Sequence, residues 1–141
     1  MFIVLLFVRY KTDCSSSSSN NNNNNDNNNN NKNNNLLYCF VGDIIADVGG
    51  MVTIYCFTKS AESATWSYQK TTNDKPDDIC NVNGYLMNGF SAPRFSLIDT
   101  ANDYHFVIAN VTVTDGGFYI CTDNDGYGDK HVTRLIVLGN G

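Results

Sequence analysis

From about Gly42 onward the chain alternates short apolar runs with clusters of Gly, Asn and Asp. In VTIYCF (52–57), Val52, Ile54 and Cys56 fall on one side and Thr53, Tyr55 and Phe57 on the other. That period of two is what a strand with one buried face requires. ATWSYQ (64–69), RFSLI (94–98), DYHFVIA (103–109), GFYICT (117–122) and HVTRLIVL (131–138) read the same way. Turn signals separate them: VGG at 48–50, NDKPDD at 73–78, NG at 83 and 88, and DNDGYGD at 123–129. No stretch shows helical periodicity with caps. Many short strands in about a hundred residues predict an all-β fold, either an antiparallel sandwich or a barrel.

The sequence before this region has a different texture. Residues 15–35 contain only Ser, Asn, Asp26 and Lys32, which offers no apolar surface to offset the entropy of ordering the chain, so a disordered tract is expected. Residues 2–8 are all apolar, which suits the hydrophobic part of a secretory leader over 1–14. Residues 36–42 then form a lead-in, 43–138 the domain and 139–141 a tail. No run reaches the roughly 20 apolar residues of a membrane-spanning helix, so the sequence predicts no span in this chain.

Charge narrows the partners. The net charge is −5, and from Asp43 onward six basic residues face twelve acidic ones. Phosphate backbones and anionic bilayers are bound by clustered Lys and Arg, so neither nucleic acid nor an anionic membrane surface is an expected partner.

Cys56 and Cys121 both occupy positions whose alternation points inward; Trp66 follows the first by ten residues and Tyr119 precedes the second by two. Phe106, Ile108, Val111, Asp115, Gly117, Tyr119 and Cys121 spell an apolar series followed by D-x-G-x-Y-x-C, and Trp66 with Gln69 gives W-x-x-Q. On these residues, 43–138, about two thirds of the chain, resembles a variable-type (V-set) immunoglobulin domain. CNVNGYLMNGFSAPRFSLI (80–98) is similar to single variable-type domains of animal surface receptors.

The resemblance implies a two-sheet antiparallel sandwich, a Cys56–Cys121 disulfide with Trp66 against it, a corner formed by Tyr119, and a salt bridge between Arg94 and Asp115. The F-G-x-G motif that shapes the last strand for antibody-style pairing is absent, since the region reads YGDKHVTRL. Cys80 has no partner in the family pattern. Cys39 is a candidate mate, Cys14 would then be the odd thiol, and sequence alone leaves the connectivity open.

Catalysis is not expected, because His105 and His131 lie in strands with no nucleophile and base implied, and no cofactor is called for. DNDGYGD fails as a calcium loop: with Asp123, Asp125 and Gly126 at loop positions three, five and six, Val132 stands where the bidentate Glu belongs. No metal site follows.

Binding is the expected function. By the resemblance, the B–C, C′–C″ and F–G loops (58–63, 80–90 and 123–129) gather at one end of a rigid scaffold. Tyr127, Asp123 and Asp125 in the last loop and Tyr85 and Phe90 in the middle one are candidate contacts for a protein or glycan ligand. Phe118 and Ile120, alternating with Tyr119 and Cys121, are expected to face outward from the sheet of strands C, F and G, where they would suit a homodimer. Asn110-Val111-Thr112 is a glycosylation sequon at the turn opposite the loops. These features describe an extracellular recognition module, secreted or part of a surface protein. A homophilic adhesion unit and a secreted viral or host immune decoy are the alternatives.

Overall fold

A computed structural model describes residues 9–16, 37–56, 63–100 and 103–139, with backbone alone at 9–16, 37–38, 100 and 103. The apolar residues 2–8, the Ser/Asn tract from residue 17 and the B–C loop up to residue 62 lie outside the described residues.

The described residues form nine strands: β1 (Arg9–Ser16), β2 (Leu37–Asp47), β3 (Val52–Ile54), β4 (Thr65–Gln69), β5 (Asp77–Cys80), β6 (Phe95–Thr100), β7 (Asp103–Ile108), β8 (Gly117–Thr122) and β9 (Lys130–Leu138). They build a six-stranded sheet in the order β1-β2-β9-β8-β4-β5 and a three-stranded sheet in the order β3-β7-β6. One pairing is parallel: β2 runs beside β9 from Tyr38↔Lys130 to Asp47↔Leu138. The register shifts between Phe40 and Gly42, as expected of a bulge, which bends a strand and lets it follow a twisted neighbour.

The core lies between the two sheets. Val52, Ile54, Phe106 and Ile108 face it from the smaller sheet, and Trp66, Tyr119, Cys121 and Leu135 from the larger, all of them buried. Burying each large apolar side chain contributes roughly 1.5–3 kcal/mol. The Cys56–Cys121 disulfide links the layers across 65 residues. A loop of that length implies about 4 kcal/mol of stabilisation in the chain-entropy account. Trp66 fills the space beside it and donates its Nε1–H to the Tyr104 carbonyl at 2.8 Å, tying β4 to β7 across the sandwich.

At the end of the sandwich opposite the β8–β9 loop, the Tyr119 hydroxyl donates to the Asp115 carbonyl at 2.6 Å. Asp115 accepts two hydrogen bonds from the Arg94 guanidinium, at 2.6 and 2.8 Å, and one from the Thr112 backbone N–H at 2.7 Å. Arg94 also lies over the Phe95 ring, 4.2 Å from its centroid. Burial pushes the Asp115 carboxyl up, but the Arg94 and Thr112 hydrogen bonds outweigh it and hold the group below its ordinary value. Gly117 is required here, since at φ 146° a Cβ would sit 2.7 Å from the Gln69 carbonyl.

Three elements depart from the sequence pattern. NDKPDD does not stay a turn to its end, because Asp77 and Asp78 open β5 and pair with Tyr68 and Ser67. Ile79 and Cys80, both buried, anchor that short edge strand. The first sheet also begins earlier than Asp43, with β2 starting at Leu37 and β1 pairing along it from Arg9↔Asp43 to Ser16↔Leu37. In the sheet β1 pairs with β2, and β2 with β9. The third departure is that the VTIYCF strand closes at Ile54. Beyond it the Cys56 N–H is taken by His105 Nδ1 at 3.1 Å, in place of a ladder carbonyl.

Candidate recognition surface

β4 starts just after Ser63, β5 ends where the 81–85 loop begins, and β8 and β9 flank the 123–129 loop, with Thr65, Thr122 and Lys130 in one register row beneath them. The 81–85 and 123–129 loops therefore rise from the same end of the larger sheet, the end at which Ser63 leads into β4. Arg94, Asn110 and Asp115 mark the opposite end.

The β8–β9 loop is bonded to itself. The Asp123 carbonyl accepts from the N–H groups of Gly126 and Gly128 at 3.1 and 2.9 Å, and the Asp123 N–H donates to the Asp129 carbonyl at 3.1 Å. The Asp123 carboxylate accepts from the Asp129 N–H at 2.7 Å and lies 3.3 Å from His131 Nε2. Asn124, Asp125 and Gly126 follow one another at φ 50°, 54° and 89°, conformations that Asn, Asp and Gly tolerate best. Gly128 has no substitute, because a Cβ there would meet Asp123 Oδ1.

This geometry separates the acidic residues by task. Asp123 is only 7% exposed; its carboxylate is turned in to fasten the loop, which corrects the expectation of a surface contact. Asp125 is exposed and reaches the neighbouring loop, its carboxylate accepting from the Ser63 N–H at 3.1 Å and the Ser63 hydroxyl at 2.6 Å. The Asp125 N–H in turn donates to the Ser63 carbonyl at 2.8 Å. Tyr127, at the tip, is 83% exposed.

The 81–85 loop is also built around one side chain. Asn81 Oδ1 accepts from the N–H groups of Asn83 and Tyr85 at 2.9 and 3.1 Å. That Asx-type turn leaves Tyr85 70% exposed. The chain then doubles back along β5, with Leu86 opposite Cys80 and the Met87 N–H bonded to the Ile79 carbonyl. Phe90 ends up at the far end and half-buried, its ring 4.9 Å from Phe95 and 6.1 Å from Phe106. It packs against the core rather than standing on the 81–85 loop, and with Tyr68, Arg94 and Thr114 it lines a cleft of about 220 Å³.

The outer face of the larger sheet is less exposed than the alternation suggests. Ser67, Ile120, Val132 and Phe40 form one cross-strand row, and Gln69, Phe118, Arg134 and Asp43 the next. Ile120 is 2% exposed and Val132 6%. Ile120 occupies an interior strand, between Ser67 and Val132 across the sheet, and is buried although it stands outside the core cluster. Phe118 is half-buried. Beside it the Arg134 guanidinium makes two hydrogen bonds to Asp43, at 2.9 and 2.6 Å, a charged pair the sequence pattern did not reveal.

The sequence model of the immunoglobulin V-set domain matches residues 42–138. The chain belongs to the immunoglobulin V-set family. No curated protein matches it closely enough to add a more specific relative. Within this V-set domain the Cys56–Cys121 bridge is the inter-sheet disulfide, and β4, β8 and β9 lie side by side in the larger sheet. Domains of this family serve as binding modules of immunoglobulin-superfamily proteins, most of them outside the cell. Among the described residues no helix is long and apolar enough to cross a membrane, and no three His, Cys, Asp or Glu side chains are placed to hold a metal ion.

Cys39 is disulfide-bonded and Cys80 is a buried free thiol. A Cys39–Cys80 bridge is thereby ruled out. Burial pushes the Cys80 thiol up to about 11.

Proposed function

We propose that this V-set domain is an extracellular recognition module whose contact surface is the loop end centred on Tyr127 and Tyr85. The observation that carries the reading is the bond between Asp125 and Ser63, which fastens the β8–β9 loop to the segment ahead of β4 while the Tyr127 side chain stays exposed. An aromatic side chain on a loop already fixed in shape loses little entropy on binding, which is how a few residues come to dominate an interface. The ligand class is a protein or a glycan, and the partner residues are Tyr127, Tyr85 and Asp125, with Asn110 glycosylated at the far end. Binding needs no catalytic group or cofactor.

The test is a display of the full chain against arrayed surface proteins and glycans, comparing the wild type with Tyr127→Ala and Tyr85→Ala. Loss of a hit by more than about tenfold in either variant, with unchanged thermal unfolding, supports the reading. Hits that survive both substitutions place the contact elsewhere.

Homophilic adhesion through the outer sheet face is the second reading, resting on the half-buried Phe118 and Phe40, since Ile120 and Val132 in the same rows are buried. Sedimentation of the wild type and of Phe118→Asp distinguishes it: a monomer at high concentration excludes adhesion by this face. A secreted decoy would use the same loop surface and differs only in the protein it competes with.

A further inference from the structure

The sequon Asn110-Val111-Thr112 is held shut by the fold. Val111 is buried, and both of its backbone groups are engaged, its N–H donating to the Gly50 carbonyl at 2.9 Å and its carbonyl accepting from the Gly49 N–H at 2.8 Å. The Asn110 carbonyl accepts from Arg94 Nη1 at 3.5 Å. The Thr112 N–H donates to Asp115 Oδ2 at 2.7 Å, and its hydroxyl donates to the same oxygen at 3.2 Å while lying 2.9 Å from Thr114 Oγ1. Asn110 itself is exposed but sits at φ 52°, a left-handed conformation that turns the chain sharply. An acceptor tripeptide has to present the Asn amide and the Thr hydroxyl together to an enzyme that reads both. In this turn the hydroxyl is occupied and the middle residue is inside the core.

We infer that glycan transfer to Asn110 has to precede closure of the Arg94–Asp115 turn, so that occupancy of the site records how fast this end of the domain folds. The inference rests on the reading of the chain as a protein of the secretory pathway. In the transfer, Asn110 Nδ2 bonds to the anomeric carbon of a polyprenyl-diphosphate-linked oligosaccharide as the bond from that carbon to the diphosphate oxygen breaks. The electron pair leaves with the lipid diphosphate, and the amide proton passes to a base of the transferase. A closed turn withholds the acceptor and leaves the donor unreacted. Folding and modification therefore compete for one segment, and the slower the turn closes, the larger the glycosylated fraction.

The experiment presents the full chain, prepared without glycan, to a purified eukaryotic oligosaccharyltransferase and a dolichyl-diphosphate oligosaccharide. One sample is folded and oxidised; the other is reduced, alkylated and unfolded. Transfer to Asn110, read by the mass of the peptide and abolished in Asn110→Gln, is expected to be about tenfold or more faster in the unfolded sample, because opening the turn locally costs free energy. Folded Asp115→Asn and Arg94→Ala chains are expected to fall between the two. Equal rates in the folded and unfolded wild type overturn the inference, as does an unfolded chain that accepts no glycan. Folded variants no faster than the folded wild type remove the Arg94–Asp115 pair as the latch. None of these outcomes depends on whether Tyr127 contacts a ligand, so the two proposals fail separately.

Discussion

Asp125, on the β8–β9 loop, and Ser63, ahead of β4, are joined three times: by the Asp125 carboxylate to the Ser63 N–H and hydroxyl, and by the Asp125 N–H to the Ser63 carbonyl. Two positions far apart in sequence are thereby fastened together. In Asp125→Ala the backbone bond remains and the two carboxylate bonds are lost. Amide exchange at Ser63 and at Asn124 to Tyr127 should quicken, while global stability falls by no more than about 1 kcal/mol, as exposed hydrogen bonds contribute little. Hydrogen exchange read by mass spectrometry checks this; unchanged exchange would show that the loops hold their shape independently.

Asp115 carries the acid sensitivity of the opposite end. Its carboxyl is held below the ordinary value in the folded chain. It therefore contributes stability that is present above the unfolded carboxylate value and is lost as pH falls through the folded one. Urea unfolding from pH 7 downward should show the wild type losing stability more steeply than Asp115→Asn below about pH 4. At pH 7 the variant should be less stable by about 2 kcal/mol, the scale of charge-assisted hydrogen bonds. Parallel pH profiles would show that other carboxylates govern acid unfolding.

Tyr119→Phe removes one hydroxyl and leaves the Asp115 carbonyl without that donor. A loss of about 1.5 kcal/mol in unfolding free energy is expected, with the strand order intact. Chemical denaturation with circular dichroism measures it, and a loss below experimental error would mean that water replaces the hydroxyl.

Cys80 should resist alkylation in the folded chain. With its thiol pushed up to about 11, only about one molecule in a thousand is thiolate at pH 8, and burial blocks access to that fraction. Iodoacetamide at pH 8 should label Cys80 only after unfolding, as peptide mapping can show. Rapid labelling of the native chain would place this thiol at the surface.

The strand pattern was legible wherever one face of a strand meets the core, as in β8, where GFYICT runs from Gly117 to Thr122 in both sequence and structure. It failed where pairing rather than burial makes the strand. Asp77 and Asp78 are exposed on β5 and carry no apolar signal, and β1 is an edge strand of the larger sheet. The candidate surface divides along the same line. Alternation says which way Ile120 points but not that it is buried there, and composition names Asp123 and Asp125 together although one fastens the loop and the other bridges to Ser63. The Arg134–Asp43 pair left no local trace, since its partners are 91 residues apart.

The parallel run of β2 beside β9 orients the whole domain. β9 leaves the end that carries the 123–129 loop at Lys130 and finishes at Leu138 beside Asp47, on the far side of the sandwich. Whatever is joined beyond that strand pulls from the base, so a tethered or anchored copy would hold Tyr127 and Tyr85 at maximal distance from its support, facing whatever approaches.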